Sequence, residues 1–381
     1  MRAAVLADVG RIEIRDDVPV AAPLADEVLL RVAAVGLCGT DFHIFHGHGN
    51  YHTDDCGRPI PLARQPQILG HEFVGIVQET GRNVSDLVPG DRVVVDQGRN
   101  CVSAARLPLC EYCVTGDSHQ CVSYTEHGIT GPPGALAEFI TMPAVNAIRV
   151  ESQLPLMELA LTEPLGCIVH ATDMLVRANT RYRLRDSDPL HRVSTVLIFG
   201  GGPAGLLFTQ YLRSALGYEE QILVADPNAK KRALAAEFGA VALDPTTPDF
   251  VQAASDLTGG RRAELIIDAS GAGAVFRDIP RMLRKQGTVL LYGHGHTGVD
   301  LSVVNNLQFL EPSLFSPVGA SGGFEPDGRP ATYRRALGLL ETGKVKVGSI
   351  ISHRYRSLED VPAAFSGAHL SPDYVKGVVE P

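Results

Sequence analysis

Residues 193–205 read Val-Ser-Thr-Val-Leu-Ile-Phe-Gly-Gly-Gly-Pro-Ala-Gly, an apolar run that leads into a glycine-rich turn. A run of this length predicts a buried strand, and a helical pattern follows it at 204–216. Glycines spaced G-x-G-x-x-G between a strand and a helix let a dinucleotide pyrophosphate approach the backbone at the helix N-terminus. The residues expected to bind the dinucleotide are therefore Gly200, Gly202, Pro203, Ala204 and Gly205.

The pattern around this turn changes twice along the chain. Apolar runs alternate with helical stretches from about residue 164 to about residue 310, which predicts a doubly wound parallel sheet with helices on both faces. Short β-like segments fill the chain before residue 160, and a mixed pattern returns near the C-terminus. We therefore expect an α/β protein with a discontinuous, β-rich catalytic domain at 1–163 and 311–381, and a nucleotide-binding domain at 164–310.

The predicted second strand of the sheet, Gln221–Ala225, is followed by Asp226. A carboxylate at this strand end accepts hydrogen bonds from the adenosine ribose and repels a 2′-phosphate, so NAD is the expected cofactor rather than NADP. The basic run Lys230-Lys231-Arg232 could favour NADP instead. A solvated helix face is the simpler interpretation of this run.

Composition excludes several classes of protein. The 381 residues carry a formal net charge of −9, which argues against a nucleic-acid partner because phosphate binding needs a basic surface. The longest apolar runs that we recognise are strand-sized, so no membrane partner is expected, and the N-terminal residues lack a signal-peptide pattern. Seven cysteines, an odd number, are typical of reduced thiols and metal ligands in the cytoplasm rather than of disulfides.

Thiolate, imidazole and carboxylate side chains in the first domain suit a catalytic zinc ion. The candidate ligands are Cys38, His71 and a carboxylate, either Glu72 or Glu163. Zinc lowers the pKa of a substrate hydroxyl, and the released proton needs a path out of the site. Thr40 and His43 follow Cys38 closely and supply a hydroxyl and an imidazole for that path. Zinc beside a nicotinamide predicts hydride transfer from an alcohol.

Five motifs carry a resemblance to a known family: Cys38-Gly-Thr-Asp-Phe-His43, Gly70-His71-Glu72, Pro89-Gly-Asp-Arg-Val93, Glu163-Pro-Leu165 and the glycine turn. Together they cover nearly the full chain. The chain resembles the zinc-dependent medium-chain dehydrogenases, which include alcohol, sorbitol, threonine and glucose dehydrogenases. The resemblance implies a GroES-like catalytic domain completed by the C-terminal segment, with a Rossmann domain inserted. It also implies a homodimer or homotetramer.

The same resemblance bears on the substrate. Ethanol-type members have a second cysteine at the position of Glu163, whereas polyol, sugar and threonine dehydrogenases have a carboxylate there. The expected reaction is therefore hydride transfer from a secondary alcohol of a polyol or sugar, a small-molecule substrate, to NAD. A threonine or simple-alcohol dehydrogenase is the alternative within the family. A non-catalytic nucleotide-binding protein is the alternative outside it.

A second metal site is expected in the segment 101–121. Cys110, Cys113 and Cys121 reproduce three of the four cysteines of the structural zinc lobe that the resemblance implies, and Cys101 is the candidate fourth ligand, separated by an apparent insertion. A lobe that has lost its metal is the alternative. The histidine-rich segment 43–56 is interpreted as an enlarged loop over the active-site mouth, with a metal-binding histidine cluster as the alternative.

Overall fold

The computed structural model of the chain describes the backbone of residues 1–381 and every side chain except that of Leu301. The strands are β1 (Ala3–Asp8), β2 (Arg11–Arg15), β3 (Glu27–Gly36), β4 (Gln67–Ile68), β5 (Glu72–Thr80), β6 (Arg92–Val95), β7 (Gly98–Arg99), β8 (Thr125–Glu126), β9 (Phe139–Pro143), β10 (Ala147–Arg149), β11 (Thr195–Phe199), β12 (Gln221–Ala225), β13 (Val241–Leu243), β14 (Ala263–Asp268), β15 (Leu283–Leu291), β16 (Ser313–Phe315), β17 (Ile351–Tyr355) and β18 (Lys376–Val379). The α-helices are α1 (Gly39–Phe45), α2 (Glu111–Thr115), α3 (Leu156–Leu159), α4 (Thr162–Arg177), α5 (Pro203–Gln210), α6 (Ala229–Glu237), α7 (Phe250–Leu257), α8 (Val275–Met282), α9 (Asn305–Gln308), α10 (Ala331–Glu341) and α11 (Val361–Ser366).

The strand before the glycine-rich turn, β11, lies in the middle of a six-stranded parallel sheet. The strand order is β13-β12-β11-β14-β15-β16, which is the 3-2-1-4-5-6 order of doubly wound dinucleotide folds. All residues of β11 are buried, as expected for a strand covered on both faces. Phe199 of β11 pairs with Ala225 of β12, so the glycine turn and Asp226 follow the carboxyl ends of neighbouring strands.

Antiparallel pairing dominates the β-rich part of the chain. A seven-stranded sheet has the order β10-β6-β5-β3-β18-β17, with β9 also paired to β3. The short sheets β2-β1-β4 and β7-β8 complete this part. The C-terminal strand β18 pairs with β3 through Val378 and Gly36. The last residues of the chain therefore complete a sheet that its N-terminal half begins.

The chain divides into two units, one formed by residues 1–167, 319–343 and 351–381 and the other by residues 168–318 and 344–350. The predicted limit at 163/164 lies four residues before the observed one, and the predicted limit at 310/311 lies eight residues before it. Strand β16 accounts for the second difference, because it pairs in parallel with β15 and extends the parallel sheet beyond residue 310. The prediction is also wrong for residues 344–350, which belong to the nucleotide-binding unit and not to the catalytic one; the backbone of Lys346 exchanges two hydrogen bonds of 2.8 Å with the side chain of Gln210.

One helical stretch, Leu156–Arg177, is long and apolar enough to cross a membrane by length and composition alone. Its sequence contains only short apolar runs, because Glu158, Glu163 and Asp173 interrupt them. Of its most apolar window, 78% is buried inside the protein, which is typical of a core helix.

Candidate active site

Asp41 connects the two chain segments that carry the first predicted metal ligands. Cys38 immediately precedes α1, and its backbone N–H donates to Asp41 Oδ2 at 2.8 Å. The other carboxylate oxygen, Oδ1, accepts from the backbone N–H of Gly70 at 3.2 Å. Gly70 has φ +91°, a left-handed conformation that favours glycine. One fully buried carboxylate therefore holds the Cys38 turn beside the Gly70–His71 turn.

The structure brings Cys38, His71 and Glu72 together. Their ligand atoms all lie within 4.8 Å of one another. His71 Nδ1 lies 3.4 Å from Asp41 Oδ1, at ion-pair distance but without hydrogen-bond geometry. Burial lowers the pKa of His71, but Asp41 and Cys38 outweigh burial and raise the pKa well above its usual value. A thiolate, an imidazole and a carboxylate at these distances match the donors that zinc prefers.

Glu72 already has a cationic partner in this structure. Lys376, the first residue of β18, donates from Nζ to Glu72 Oε1 at 2.7 Å, and both side chains are buried. Gly36 on the strand between them leaves the necessary space, because a Cβ there would lie 2.2 Å from Glu72 Oε2. Burial lowers the pKa of this lysine, but the charge and hydrogen bond of Glu72, together with the charges of Cys38 and Asp41, outweigh burial and raise it. Sequence reasoning missed Lys376, since nothing local connects it with a residue 304 positions away.

Glu163 lies in the first turn of α4 and does not join the group of three among the described side chains. Its Oε1 accepts from Gln97 Nε2 at 3.2 Å and from Cys167 Sγ at 3.2 Å. Burial raises the pKa of Glu163 to about 7, with opposing contributions from the charges of His71 and Glu72. These contributions place Glu163 in the electrostatic environment of the group. Cys167, to which sequence analysis assigned no role, contacts Glu163 through the i, i+4 spacing of a helix.

The two residues of the predicted proton path lie on α1. Thr40 Oγ1 is 3.8 Å from Cys38 Sγ, so its hydroxyl faces the thiol. His43 is half-buried one turn further along the helix, and its ring centroid lies 6.0 Å from that of His48. His46 and His48 are exposed. The described side chains of segment 43–56 form no group of three close metal-ligand atoms.

The four predicted cysteines of the second site also come together. Sγ atoms of Cys101, Cys110, Cys113 and Cys121 all lie within 4.8 Å of one another. Cys110 precedes α2, and backbone N–H groups of Cys113 and Val122 lower the pKa of its thiol to about 6. Burial raises the pKa of Cys113. The extra residues between Cys101 and Cys110 thus form a loop that does not separate the thiols, and the donor set suits tetrahedral zinc.

The glycine-rich turn has the geometry that a pyrophosphate needs. Gly200 has φ +97°, and a Cβ on Gly205 would lie 1.8 Å from the carbonyl oxygen of Gly200. Gly202 is the N-cap of α5, and Pro203 is the first residue of that helix. The turn therefore presents backbone N–H groups without side chains in the way.

Asp226 is buried at the end of β12 and bonds to the turn itself. Its Oδ2 accepts from the Gly201 N–H at 2.7 Å, and its Oδ1 accepts from the Asn228 N–H at 2.7 Å. Each carboxylate oxygen keeps a further lone pair for a ribose hydroxyl. Arg232 is only partly exposed, and it donates to the Asp226 and Pro227 carbonyls at 2.8 Å and pairs with Asp244 at 3.0 Å.

A metal-ligand group on a β-rich unit and a dinucleotide turn on a parallel sheet define a class, the nucleotide-dependent oxidoreductases with a metal centre. Residues 24–152 match the alcohol dehydrogenase GroES-like domain, and residues 203–342 match the zinc-binding dehydrogenase domain. The chain belongs to the zinc-dependent medium-chain dehydrogenase family. The resemblance and the predicted GroES-like and Rossmann folds are therefore confirmed.

Similar proteins differ in what they act on. The chain is 28% identical over 352 residues to L-threonine 3-dehydrogenase of Pyrococcus furiosus, covering 92% of this chain and 90% of that protein. It is 29% identical over 374 residues to sorbitol dehydrogenase of Bombyx mori, covering 96% of each. A solved structure described as a zinc-binding dehydrogenase of Sinorhizobium meliloti, bound to NADP, has a TM-score of 0.79 and 29% identity, covering 100% of this chain and 99% of that one. These similarities indicate an oxidoreductase of the alcohol and polyol dehydrogenase type.

Proposed function

We propose that this chain is a zinc-dependent dehydrogenase that transfers a hydride from a secondary alcohol of a polyol or sugar to NAD. The observation that carries the proposal is the close group of Cys38, His71 and Glu72, with Glu163 buried in the same electrostatic environment. Zinc bound there supplies a Lewis acid that lowers the pKa of the substrate hydroxyl. In the reaction, the alcohol loses its hydroxyl proton to the chain and its C–H hydride to the nicotinamide, and a ketone forms.

The two carboxylates have different partners, which suggests their roles. Lys376 already balances the charge of Glu72, so that carboxylate has least need of a second cation. Glu163 is buried with only neutral donors bonded to it, the amide of Gln97 and the thiol of Cys167. A buried carboxylate without a cation is costly. Accordingly Cys38, His71 and Glu163 would hold the zinc, while Glu72 and Lys376 form a neutral pair beside it.

The proposed reaction also needs a route by which the proton of the substrate hydroxyl leaves the site. Thr40 contacts Cys38 and can exchange a hydroxyl proton, and His43 on the same helix is accessible to solvent. Imidazole titrates near neutral pH, so His43 is the residue of this helix best suited to carry the proton outward.

Metal analysis and a substrate screen test the proposal. Purified protein should contain about two zinc ions per chain, one for each ligand group, and Cys38→Ser should remove about one. The screen follows NADH formation with polyols, aldoses, threonine and short alcohols. A zinc-free protein with no dehydrogenase activity would overturn the proposal, as would full activity in Cys38→Ser. Threonine is the second candidate substrate, because the relatives include threonine 3-dehydrogenases.

A homo-oligomer in the cytoplasm is part of the proposal. Strand β16 is the outermost strand of the parallel sheet, and Leu314 on it is exposed. Phe309, just before the strand, is 83% exposed. An open strand edge with apolar neighbours favours pairing with a second copy across a two-fold axis. Light scattering should give a dimer or tetramer for the wild type and smaller particles for Leu314→Lys, and a monomeric wild type would contradict this part.

A further inference from the structure

A chain of partly and fully buried hydrogen bonds connects the four-cysteine lobe with Glu163. Tyr124 packs against the cysteines, and its hydroxyl donates to Glu126 Oε1 at 3.0 Å. Gln97 Nε2 donates to the same Glu126 oxygen at 3.4 Å and to Glu163 Oε1 at 3.2 Å. The amide of Gln97 therefore bridges a carboxylate of the lobe side and a carboxylate of the active site.

The hydrogen bonds of Gln97 allow one orientation of its amide. Its Oε1 accepts from the hydroxyl of Tyr333, and its Nε2 donates to the two carboxylates. A flipped amide would place the carbonyl oxygen against two acceptors, which is unfavourable in a site where Gln97 is 1% exposed. The side chain consequently acts as a fixed donor.

This donor bonds to one oxygen of Glu163. Gln97 and Cys167 both bond to Oε1, and neither bonds to Oε2. A carboxylate held at Oε1 in this way has a fixed rotation and can present Oε2 to a cation. Partners that orient a ligand in this manner commonly change metal affinity by about 10- to 100-fold when removed.

The lobe also contacts the residue before Gln97. His119, which lies between Cys113 and Cys121 in the chain, has its Nε2 3.2 Å from Asp96 Oδ1, and both side chains are buried. Asp96 and Gln97 directly follow β6, so this strand end touches the lobe through His119 and is linked to Tyr124 through Glu126. The assembled lobe thus restricts the position of Gln97 from two sides.

We infer that Gln97 is a positioning residue for Glu163, and that the cysteine lobe stabilises the active-site metal through the Tyr124–Glu126–Gln97 hydrogen bonds. The inference rests on the proposed zinc site and adds a role for the lobe beyond local stability. It predicts that cutting the hydrogen-bond chain weakens the distant metal site while leaving the cysteines able to bind their own metal.

Two variants cut the chain at different places. Gln97→Met removes the amide donor with little change in length, and Tyr124→Phe removes only the hydroxyl that bonds to Glu126. Tyr112→Phe is the matched control, because Tyr112 is a partly exposed tyrosine of the same lobe. Zinc affinity is measured by competition with a chromogenic chelator, and the ligand set of the active-site metal is followed by the visible absorption of Co²⁺-substituted protein.

Gln97→Met should weaken zinc binding at the Cys38 site by about 10- to 100-fold and should alter the Co²⁺ spectrum. Tyr124→Phe should weaken zinc binding at that site by a smaller factor. Both variants should keep a full-affinity zinc at the four cysteines. Wild-type affinity and spectrum in folded Gln97→Met would overturn the inference; if that variant does not fold, wild-type affinity in Tyr124→Phe would overturn it. The same titration of the wild type separates the two proposals. If the wild type binds no zinc at Cys38 and His71, the proposed function itself is overturned.

Discussion

Lys376 Nζ lies 2.7 Å from Glu72 Oε1 in the interior of the β-rich unit, beside Cys38 and His71. The positive charge of Lys376 offsets the negative charge of Glu72, so the net charge of the ligand group is closer to zero than its own residues suggest. It also gives the C-terminal strand β18 a role at the active site, since Lys376 is the first residue of that strand.

Lys376→Met should destabilise the zinc-free protein by about 3 kcal/mol, because it leaves the Glu72 carboxylate buried without a cation. Bound zinc should reduce the loss, since the metal can balance that charge. Urea unfolding with and without a chelator measures both values. Adding Glu72→Gln to Lys376→Met should recover most of the stability, and no recovery in the double variant would contradict the ion-pair explanation.

Stability should fall in mild acid through His127. This buried imidazole donates from Nδ1 to the Pro133 carbonyl at 2.9 Å, while Nε2 has no partner among the described residues. Burial lowers its pKa to about 4. Below the unfolded pKa of about 6.5 the unfolded chain binds a proton that the folded chain does not, so stability declines between pH 6.5 and 4, by about 2 kcal/mol at pH 5.

The variant His127→Asn keeps an N–H donor near Nδ1 and removes the titrating group. Unfolding by urea at pH 7.5 and pH 5 should show a pH dependence smaller by about 2 kcal/mol in the variant than in the wild type. His48→Asn, at an exposed position, is the control and should match the wild type. Equal pH dependence in all three proteins would show that His127 does not titrate as its burial indicates.

His43→Ala should lower kcat by about 10- to 10³-fold, the range over which general acid–base groups act. Added imidazole should restore part of the rate. The exposed neighbour His46 provides the control, and His46→Ala should keep the wild-type rate. If His43→Ala kept both the rate and the pH profile of the wild type, the proton would leave by another route.

NAD should be preferred to NADP by about 100-fold in kcat/KM, since a 2′-phosphate beside Asp226 costs a few kcal/mol and each 1.4 kcal/mol is tenfold. Asp226→Ser should narrow this preference. Asp244→Asn tests the basic run 230–232 separately, because it removes the carboxylate that pairs with Arg232. Steady-state kinetics with both cofactors measures the ratios, and a wild type that used NADP equally well would contradict the role of Asp226.

The elements predicted most accurately are those with strong local patterns. The apolar run before the glycine turn became β11, because burial acts over a few neighbouring residues. Strand β15 begins at Leu283 and passes through the polar residues 284–286 before its apolar end, since pairing with Ala263 extends it. No local pattern predicts that extension.

In the candidate site too, residues in local motifs could be predicted and residues that depend on long-range contacts could not. Cys38, His71 and Glu72 could be recognised because each belongs to a short motif with a chemical reason. Lys376 and Gln97 could not, because their contacts depend on strand order and on the path of a buried hydrogen-bond chain. The sequence alone also does not decide between Glu72 and Glu163, since the choice depends on which carboxylate forms an ion pair with a lysine in the folded chain.

Asp41 makes the spacing of the thiolate and the imidazole independent of the chain between them. Since one carboxylate holds both the Cys38 turn and the Gly70 turn, residues 46–66 connect two points whose separation is set elsewhere. Doubling the length of such a loop costs only about 0.6 kcal/mol. Insertions and deletions at the exposed positions of this segment should therefore be nearly neutral for metal binding, so its length can change without rebuilding the metal-ligand group.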